Sequence, residues 1–581
     1  MNLINADTEK LIGIIQQDID TERMLETVTQ LSQYYRYSGT PAAEKAVDLL
    51  LEKLERYGIP NERLSYEAMF SQPTESLIRL PQTGETLAAM PCVYSGACKN
   101  LCGELMVDPL SEEGAIINEN TQQHRFDEAK GKFILTRSSD VTLSKRAKSS
   151  GALGILYMWP SAEDYLHHFL MGASIWGTAT PDTIDSLAFL PTMEITHNSG
   201  LYLLALLKQG PVELEIDCNA VTEVRRSSIP VATIPGKSDK YVLISGHYDS
   251  WYEGATDNAT ANSIMLELAR QLYLHREELY RGVKIAWWSG HSDARYSGST
   301  WFCDTFREEL RQNCVAHINL DMCGAKNSDV MIPRTTLMEG MDLTCNIIEK
   351  LTGRRPRSYI PMCRAADQSF YNADIPLPIT VKIEPLPENV YFSNPGGGPW
   401  WHSYYDTLDK VDPDTLTRDA RFHVELVLRI ANSTHLPVKM SGFLGIMVDF
   451  LADIQKDCID AFHFAPIFEQ LHALREPLIA LEKIIPDMEA DTSDDIIHKV
   501  AGTLIRLAYS SSSDFEYDPA GYFYGKGSEG FIFFRLRRAA NVTRENCPPD
   551  RFVFICTDFL RQTNRLVREL KDLRAYIERL L

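Results

Sequence analysis

A chain of 581 residues is too long for one core, and length alone points to three or four domains. It is 44% hydrophobic, 10% aromatic and 24% charged, a globular composition that leaves little room for long disordered tracts. With Lys+Arg 58 against Asp+Glu 79 the formal charge is -21, which argues against nucleic acid or an anionic membrane as the main partner.

The opening "MNLINADTEKLIG" has no basic stretch followed by an apolar core, so no signal peptide is expected. No segment approaches the apolar length of a membrane span. The twelve cysteines are scattered, without a paired CxxC set, and reduced thiols in a cytoplasmic protein are expected.

In chain order, "TERMLETVTQLSQYY" and "PAAEKAVDLLLEKLERYG" carry apolar residues at helical spacing, separated by Gly39-Thr40 and ended by Gly58 and Pro60. Short strand-like runs follow to about residue 220; within them "GKFILTR" and "KRAKSSGALGILYMW" predict strand, helix and strand. From "YVLISGHYDS" onward the rhythm alternates. "YVLIS", "GVKIAWW", "VAHINLD" and "LPITVKI" predict strands, while "TANSIMLELARQLYLH" and "GSTWFCDTFREELRQN" predict helices. This pattern predicts an α/β fold: a mostly parallel sheet with helices on both faces, and ligands at the carboxyl ends of its strands. After about residue 436 the chain reads as mainly helical.

The candidate site residues fall at those strand ends. His247 and Asp249 follow "YVLIS", a metal ligand type with a carboxylate to orient it. Asp257 sits in "EGATDNATA" just before a helix, where an N-cap is the plainer role. His291, Ser292 and Asp293 follow "WW", and Asp321 ends an apolar strand, a costly place for a carboxylate that is neither paired nor bound. His402 comes late, in "GGGPWWHSYYDTLDKV". Any one of these has an ordinary explanation, but five at successive strand ends do not.

"SGHYDSW…EGATDNATA…INLDMCG…HSYYDTLDKV" resembles the M28 family of co-catalytic zinc aminopeptidases, in the branch that contains glutamate carboxypeptidase and the transferrin receptor. The resemblance implies a helical N-terminal part over residues 1–84 and an inserted β-rich protease-associated (PA) domain over 85–220. It further implies the metallopeptidase core over 221–436 and a C-terminal helical domain over 437–581 through which the protein forms a homodimer. It makes His247 a ligand of one metal with Asp249 holding its imidazole, and Asp257 the carboxylate bridging two metals. Asn258 then lies across a peptide bond that is often cis in the family. Asp321 completes the first site, and His402 belongs to the second. One or two divalent metals, zinc by analogy, would polarise a carbonyl and lower the pKa of a bound water.

One turn departs from the family. Where its members carry two adjacent glutamates followed by "GLxGS", counting back from Gly298-Ser299 puts Ser292 at the place of the general base and Asp293 at that of the second-metal ligand; Arg295 replaces a glycine. Three readings stay open: His291 and Asp293 rebuild the function, the site does different chemistry on a small non-peptide metabolite, or the chain is a non-catalytic relative of the transferrin-receptor kind. No GxSxG accompanies Ser292, which speaks against a serine nucleophile. The expected substrate is a small peptide or aminoacyl compound, with Arg295, Tyr296, Arg364, Asp367, Trp401 and Tyr405 as candidate contacts. Aromatics near the site, Trp287 and Trp288 among them, either wall it or pack beneath it.

Overall fold

Two strands of unusual length organise the molecule. Asn61–Leu80 and Glu213–Ile234 run antiparallel, with Asn61 opposite Ala232 and Arg79 opposite Glu215. At one end of this ribbon Val231 to Ile234 pair with Arg281–Trp288; at the other, the start of Glu213–Ile234 pairs with Cys98–Val107. The ribbon therefore carries the chain out of the core sheet into a second lobe and back again. In the computed structural model, residues 6–108, 128–138, 142–160, 163–168, 172–336, 338, 342–356, 360–362, 366–384, 398–519 and 532–581 are described.

The sequence suggested only short strands in this region. Tyr66, Ala68 and Phe70 do alternate into the core, as a half-buried strand requires, but the polar residues between them and Pro73 disguise its length. Pro73 is tolerated because the register shifts between it and Glu75. In the second lobe, Cys98–Val107, Lys132–Thr136, Gly154–Met158 and Thr192–Ile195 run parallel to one another, and Glu85–Pro91 joins the last of them to the ribbon by antiparallel pairing on both sides. Phe133, Leu135, Leu156, Met193, Leu214 and Ile216 fill its core.

The core sheet is mostly parallel, as the alternating rhythm predicted. Ser238–His247 lies between Arg281–Trp288 and Cys314–Asn319, and Pro378–Glu384 extends the parallel set. Val330–Thr335 adds an antiparallel strand beyond it. The helices Thr260–Leu274 and Pro413–Ala431 bury Ile264, Leu268, Val424 and Val427 in the same core as Val242, Ile244 and Ile318. At the N-terminus, Thr21–Leu31 and Pro41–Arg56 are capped by Asp20 and Thr40, whose side chains accept from Arg23 and Ala43 amides. A further helix, Ala6–Asp18, precedes them.

The C-terminal helices Met440–Lys456, Ala465–Ile484, Ala490–Tyr509 and Pro549–Leu580 join the core through buried charges. Arg281, fully buried on a core strand, donates to Asp494 at 2.8 Å and to the carbonyls of Ile430 and Ser433 at 3.0 and 2.8 Å. Among the described residues, no helix is long and apolar enough to cross a membrane. Removing one partner of a buried ion pair strands the other charge. Arg281→Met is therefore expected to lower stability by about 3–5 kcal/mol in urea unfolding.

Candidate metal centre

Sheet topology brings the site residues together. His247 ends the strand Ser238–His247, His291 lies just past Arg281–Trp288, and Asp321 just past Cys314–Asn319, all at the carboxyl edge of parallel strands. Asp257 comes from the turn leading into Thr260–Leu274. The Asp257–Asn258 peptide bond is cis. The Asn258 side chain donates to the Leu320 carbonyl at 3.1 Å and accepts from the Met322 amide at 3.0 Å, tying this turn to the strand that delivers Asp321. His402, at φ 57, sits on the loop that precedes Pro413–Ala431.

Two further residues shape the loops. The buried Arg36 guanidinium donates to the carbonyls of Tyr248, Glu253 and Gly254 at 2.7, 2.8 and 2.9 Å, and to Leu31 at 2.7 Å. It holds the segment after His247 closed on itself. Asp406 accepts from the Thr256 amide (2.9 Å), the Thr256 hydroxyl (2.7 Å) and the Asp257 amide (2.9 Å), and so fixes the Asp257 backbone.

The ligand-type atoms converge. His247 Nε2 lies 3.0 Å from Asp257 Oδ1 and 3.4 Å from Asp321 Oδ1; His402 Nε2 lies 3.2 Å from Asp257 Oδ2. In each histidine of the cluster Nδ1 is already engaged. His247 Nδ1 is 2.9 Å from the Asp249 carbonyl and 3.5 Å from its carboxylate, His402 Nδ1 is 2.7 Å from the His168 carbonyl, and His291 Nδ1 is 2.6 Å from Asp367 Oδ2. In His247 and His402 the nitrogen left over, Nε2, is the one that faces the cluster. His247 Nε2, Asp257 Oδ1 and Asp321 Oδ1 are buried without a hydrogen-bond partner. Such orphaned groups cost about 1–3 kcal/mol each unless something satisfies them. A divalent cation ligated by imidazole and carboxylate fits this donor set.

Electrostatics point the same way. Burial opposes charge on His247, but Asp249, Asp257 and Asp321 outweigh it and raise its proton affinity well above the usual range. The same concentration of negative charge favours a cation. Burial also works against ionisation of Asp257, yet its two imidazole neighbours hold its pKa low. Two carboxyls are pushed up to about 7: Asp406 by burial and the nearby Asp257, and Asp293 by burial and the charge on Asp249.

The remaining sequence candidates separate. Ser292 and Asp293 line a cleft with Tyr37, Trp251, Asp257 and His402. Asp293 Oδ2 accepts from the Ser38 amide at 2.9 Å, while its Oδ1 is buried without a hydrogen bond. Asp367 is buried beneath His291 and also accepts from Ser299 Oγ at 2.8 Å. Tyr296 is buried edge-on to His291, with ring centroids 5.1 Å apart, and the Arg295 guanidinium lies 5.2 Å from the Tyr296 ring. Trp401 stacks on His402 at 3.5 Å, and the half-exposed Tyr405 stacks on Tyr165 at 4.3 Å. Trp287 and Trp288 belong to the buried core. Arg364 lies outside the described residues.

Sequence reasoning missed Arg36, Ser38 and His168. Arg36 and Ser38 lie beyond the helix ends in an unremarkable "RYSGT", and His168 comes from the second lobe, where nothing in the local pattern points to the site. The His168 ring stacks on Trp251 at 4.2 Å, and burial, with His402 and His167 nearby, lowers its pKa to about 3.

Carboxylates and imidazoles thus meet at the strand ends of a mixed α/β core. Residues 230–427 match Peptidase family M28. Over 283 residues the chain is 25% identical to aminopeptidase NAALADL1 of Mus musculus, a match covering 42% of this chain and 37% of that protein. Over 281 residues it is 24% identical to a Schizosaccharomyces pombe protein named as an inactive zinc metalloprotease, covering 45% of this chain and 34% of that one. The chain thus matches little more than a third of the length of either relative. The solved aminopeptidase from Aneurinibacillus sp. strain AM-1 is similar with a TM-score of 0.56 at 21% identity, over 73% of this chain and 97% of that one, which establishes a common fold.

Asp406 positions Asp257 without facing the other ligand-type atoms itself. Asp406→Ala is expected to weaken divalent-cation binding by about 10–100-fold, read by competition with a chromophoric chelator.

Proposed function

We propose that the protein is a metal-dependent amide hydrolase of aminopeptidase type, acting on a small peptide or aminoacyl compound. The observation that carries this reading is the convergence of His247, Asp257, Asp321 and His402 beside one cleft. Zinc suits a donor set of imidazoles and carboxylates; when bound, it polarises a carbonyl and makes water a nucleophile near neutral pH.

The chain's own residues do the rest. Asp257 presents one oxygen to His247 and the other to His402, so it is the carboxylate shared by both sides of the centre. Asp249 orients His247 through its carbonyl and takes the His291 amide on its carboxylate. Asp293 is the proton acceptor in this reading. It lines the cleft next to Ser292, and one of its carboxylate oxygens carries no hydrogen bond. Tyr37 and Trp251 wall the cleft beside these groups. The lobe spanning 85–220, read as PA-like, supplies the His168 carbonyl that orients His402.

A second reading, a non-catalytic binding protein, is favoured by Ser292 at the place of the usual base and by the name of the yeast relative. Turnover separates the two. A panel of aminoacyl anilides and dipeptides is expected to show hydrolysis that a chelator abolishes and Zn²⁺ restores, with kcat falling about 10²–10⁴-fold in Asp293→Asn. No turnover on any substrate with metal bound would favour the binding protein.

Self-association through the C-terminal helices belongs to the same reading. Val553, Phe554 and Leu560 stand exposed on the helix Pro549–Leu580. Sedimentation at micromolar concentration is expected to give twice the chain mass, and Phe554→Glu with Leu560→Glu to return the monomer.

A further inference from the structure

The geometry points to a second binding site, for the phosphate group of a small hydrophilic molecule, where the core meets the helix Ala490–Tyr509. The site is a cleft of about 370 Å³ at the end of the core sheet opposite the metal centre. Lys240 stands near the start of the strand Ser238–His247 and His247 ends it, so seven residues of extended chain, about 23 Å, separate the two places. Neither a metal nor hydrolysis enters into it.

The lining sets the chemistry. Lys240, Arg311, Asn313 and Asp374 of the core meet Asp495, His498 and Lys499 of the helix, and every lining group is polar or charged. The volume falls within the range of small-molecule sites, about 300–1,000 Å³, but an apolar ligand would find no apolar wall here.

Three cations outnumber two carboxylates in this cleft, in a chain whose formal charge is -21. Both carboxylates are already engaged. Asp374 takes Arg311 at 3.1 Å and Arg506 at 2.9 Å, and Asp495 takes Lys240, whose ammonium also donates to the Gln312 carbonyl at 2.6 Å. The exposed Lys499 makes no ion pair among the described residues. The buried His498 ring has the Ala373 carbonyl nearby, yet neither Nδ1 nor Nε2 makes a well-formed hydrogen bond. An orphaned polar group of this kind costs about 1–3 kcal/mol until something satisfies it. Burial lowers the His498 pKa to about 4, so near pH 7 the ring is neutral and offers one N–H.

A phosphate carries up to two charges and accepts from several donors at once. That matches two ammonium groups, a guanidinium and an imidazole N–H around one space. Asp374 and Asp495 then suit hydroxyl groups on the molecule that bears the phosphate.

The test is calorimetric titration of the full-length protein with glucose 6-phosphate, inorganic phosphate and glucose at matched ionic strength. Saturable binding of both phosphates is expected, one per chain with a Kd below about 1 mM, and none of glucose. Because the cleft joins core to helix, saturating glucose 6-phosphate should also raise Tm. Lys499→Glu and His498→Gln should each weaken both phosphates by about 10-fold or more. Lys208→Glu, the same charge change on the exposed surface of the second lobe, should leave them within about twofold. Lys499 is exposed, so its variant decides the matter should His498→Gln fail to fold by circular dichroism. Glucose 6-phosphate binding at least about tenfold tighter than inorganic phosphate identifies a phosphorylated metabolite as the occupant, and equal affinities identify the free anion. No saturable binding of either phosphate, unchanged affinity in Lys499→Glu, an equal loss in Lys208→Glu, or binding of citrate in place of phosphate would each overturn the assignment.

Discussion

The structure depends most on how it keeps the Asp257 carboxylate ionised out of water. A buried charge is tolerable only where opposite charge or strong donors surround it. Here two imidazole nitrogens stand 3.0 and 3.2 Å from its oxygens. That requirement draws three separate segments to one point: the end of a core strand, the turn before a helix, and a loop from more than a hundred residues further on. Asp406 and Asn258 hold the turn, and Arg36 holds the loop after His247 by gathering carbonyls that would otherwise be buried without donors.

The second lobe takes part in the site. The long ribbon links the core strands to those of the second lobe, and His168 and His402 exchange backbone and side-chain hydrogen bonds at 3.0 and 2.7 Å. Trp251, stacked on His168 and lining the cleft, sits where lobe and core meet. The second lobe therefore reaches the site through the groups behind the cleft wall, His168 against Trp251 and His402.

The core strands were easy to read because strands buried on both faces show as unbroken apolar runs, as in "YVLIS" and "VAHIN". His247 and Asp321 were legible for the same reason, since a polar residue at the end of such a run stands out, whereas Asp257 and His402 lie in loops and were singled out by the motifs around them. The ribbon was hidden by its mixed surface, since much of each strand alternates between buried and exposed positions and Pro73 interrupts one of them. The helix Ala6–Asp18 falls in the N-terminal part read as helical, although neither of the two patterns picked out there includes it. Arg36 could not be singled out, because its importance lies entirely in carbonyls more than two hundred residues away.

The sequence by itself determined the class of core, the order of its strands and helices, and the types of group gathered at the strand ends. These follow from apolar periodicity and from the cost of placing charge beside apolar runs, both of which are local. Only the tertiary structure decided which way the turn after Trp288 presents its side chains. Arg295 and Tyr296, both in the left-handed region at φ 48 and 69, bend that turn back toward His291. Asp367 and Ser38, from distant segments, then draw His291 toward His247 and Asp293 toward the cleft. Spacing along the chain cannot choose between those directions, because the partners that decide them meet only when the chain is folded.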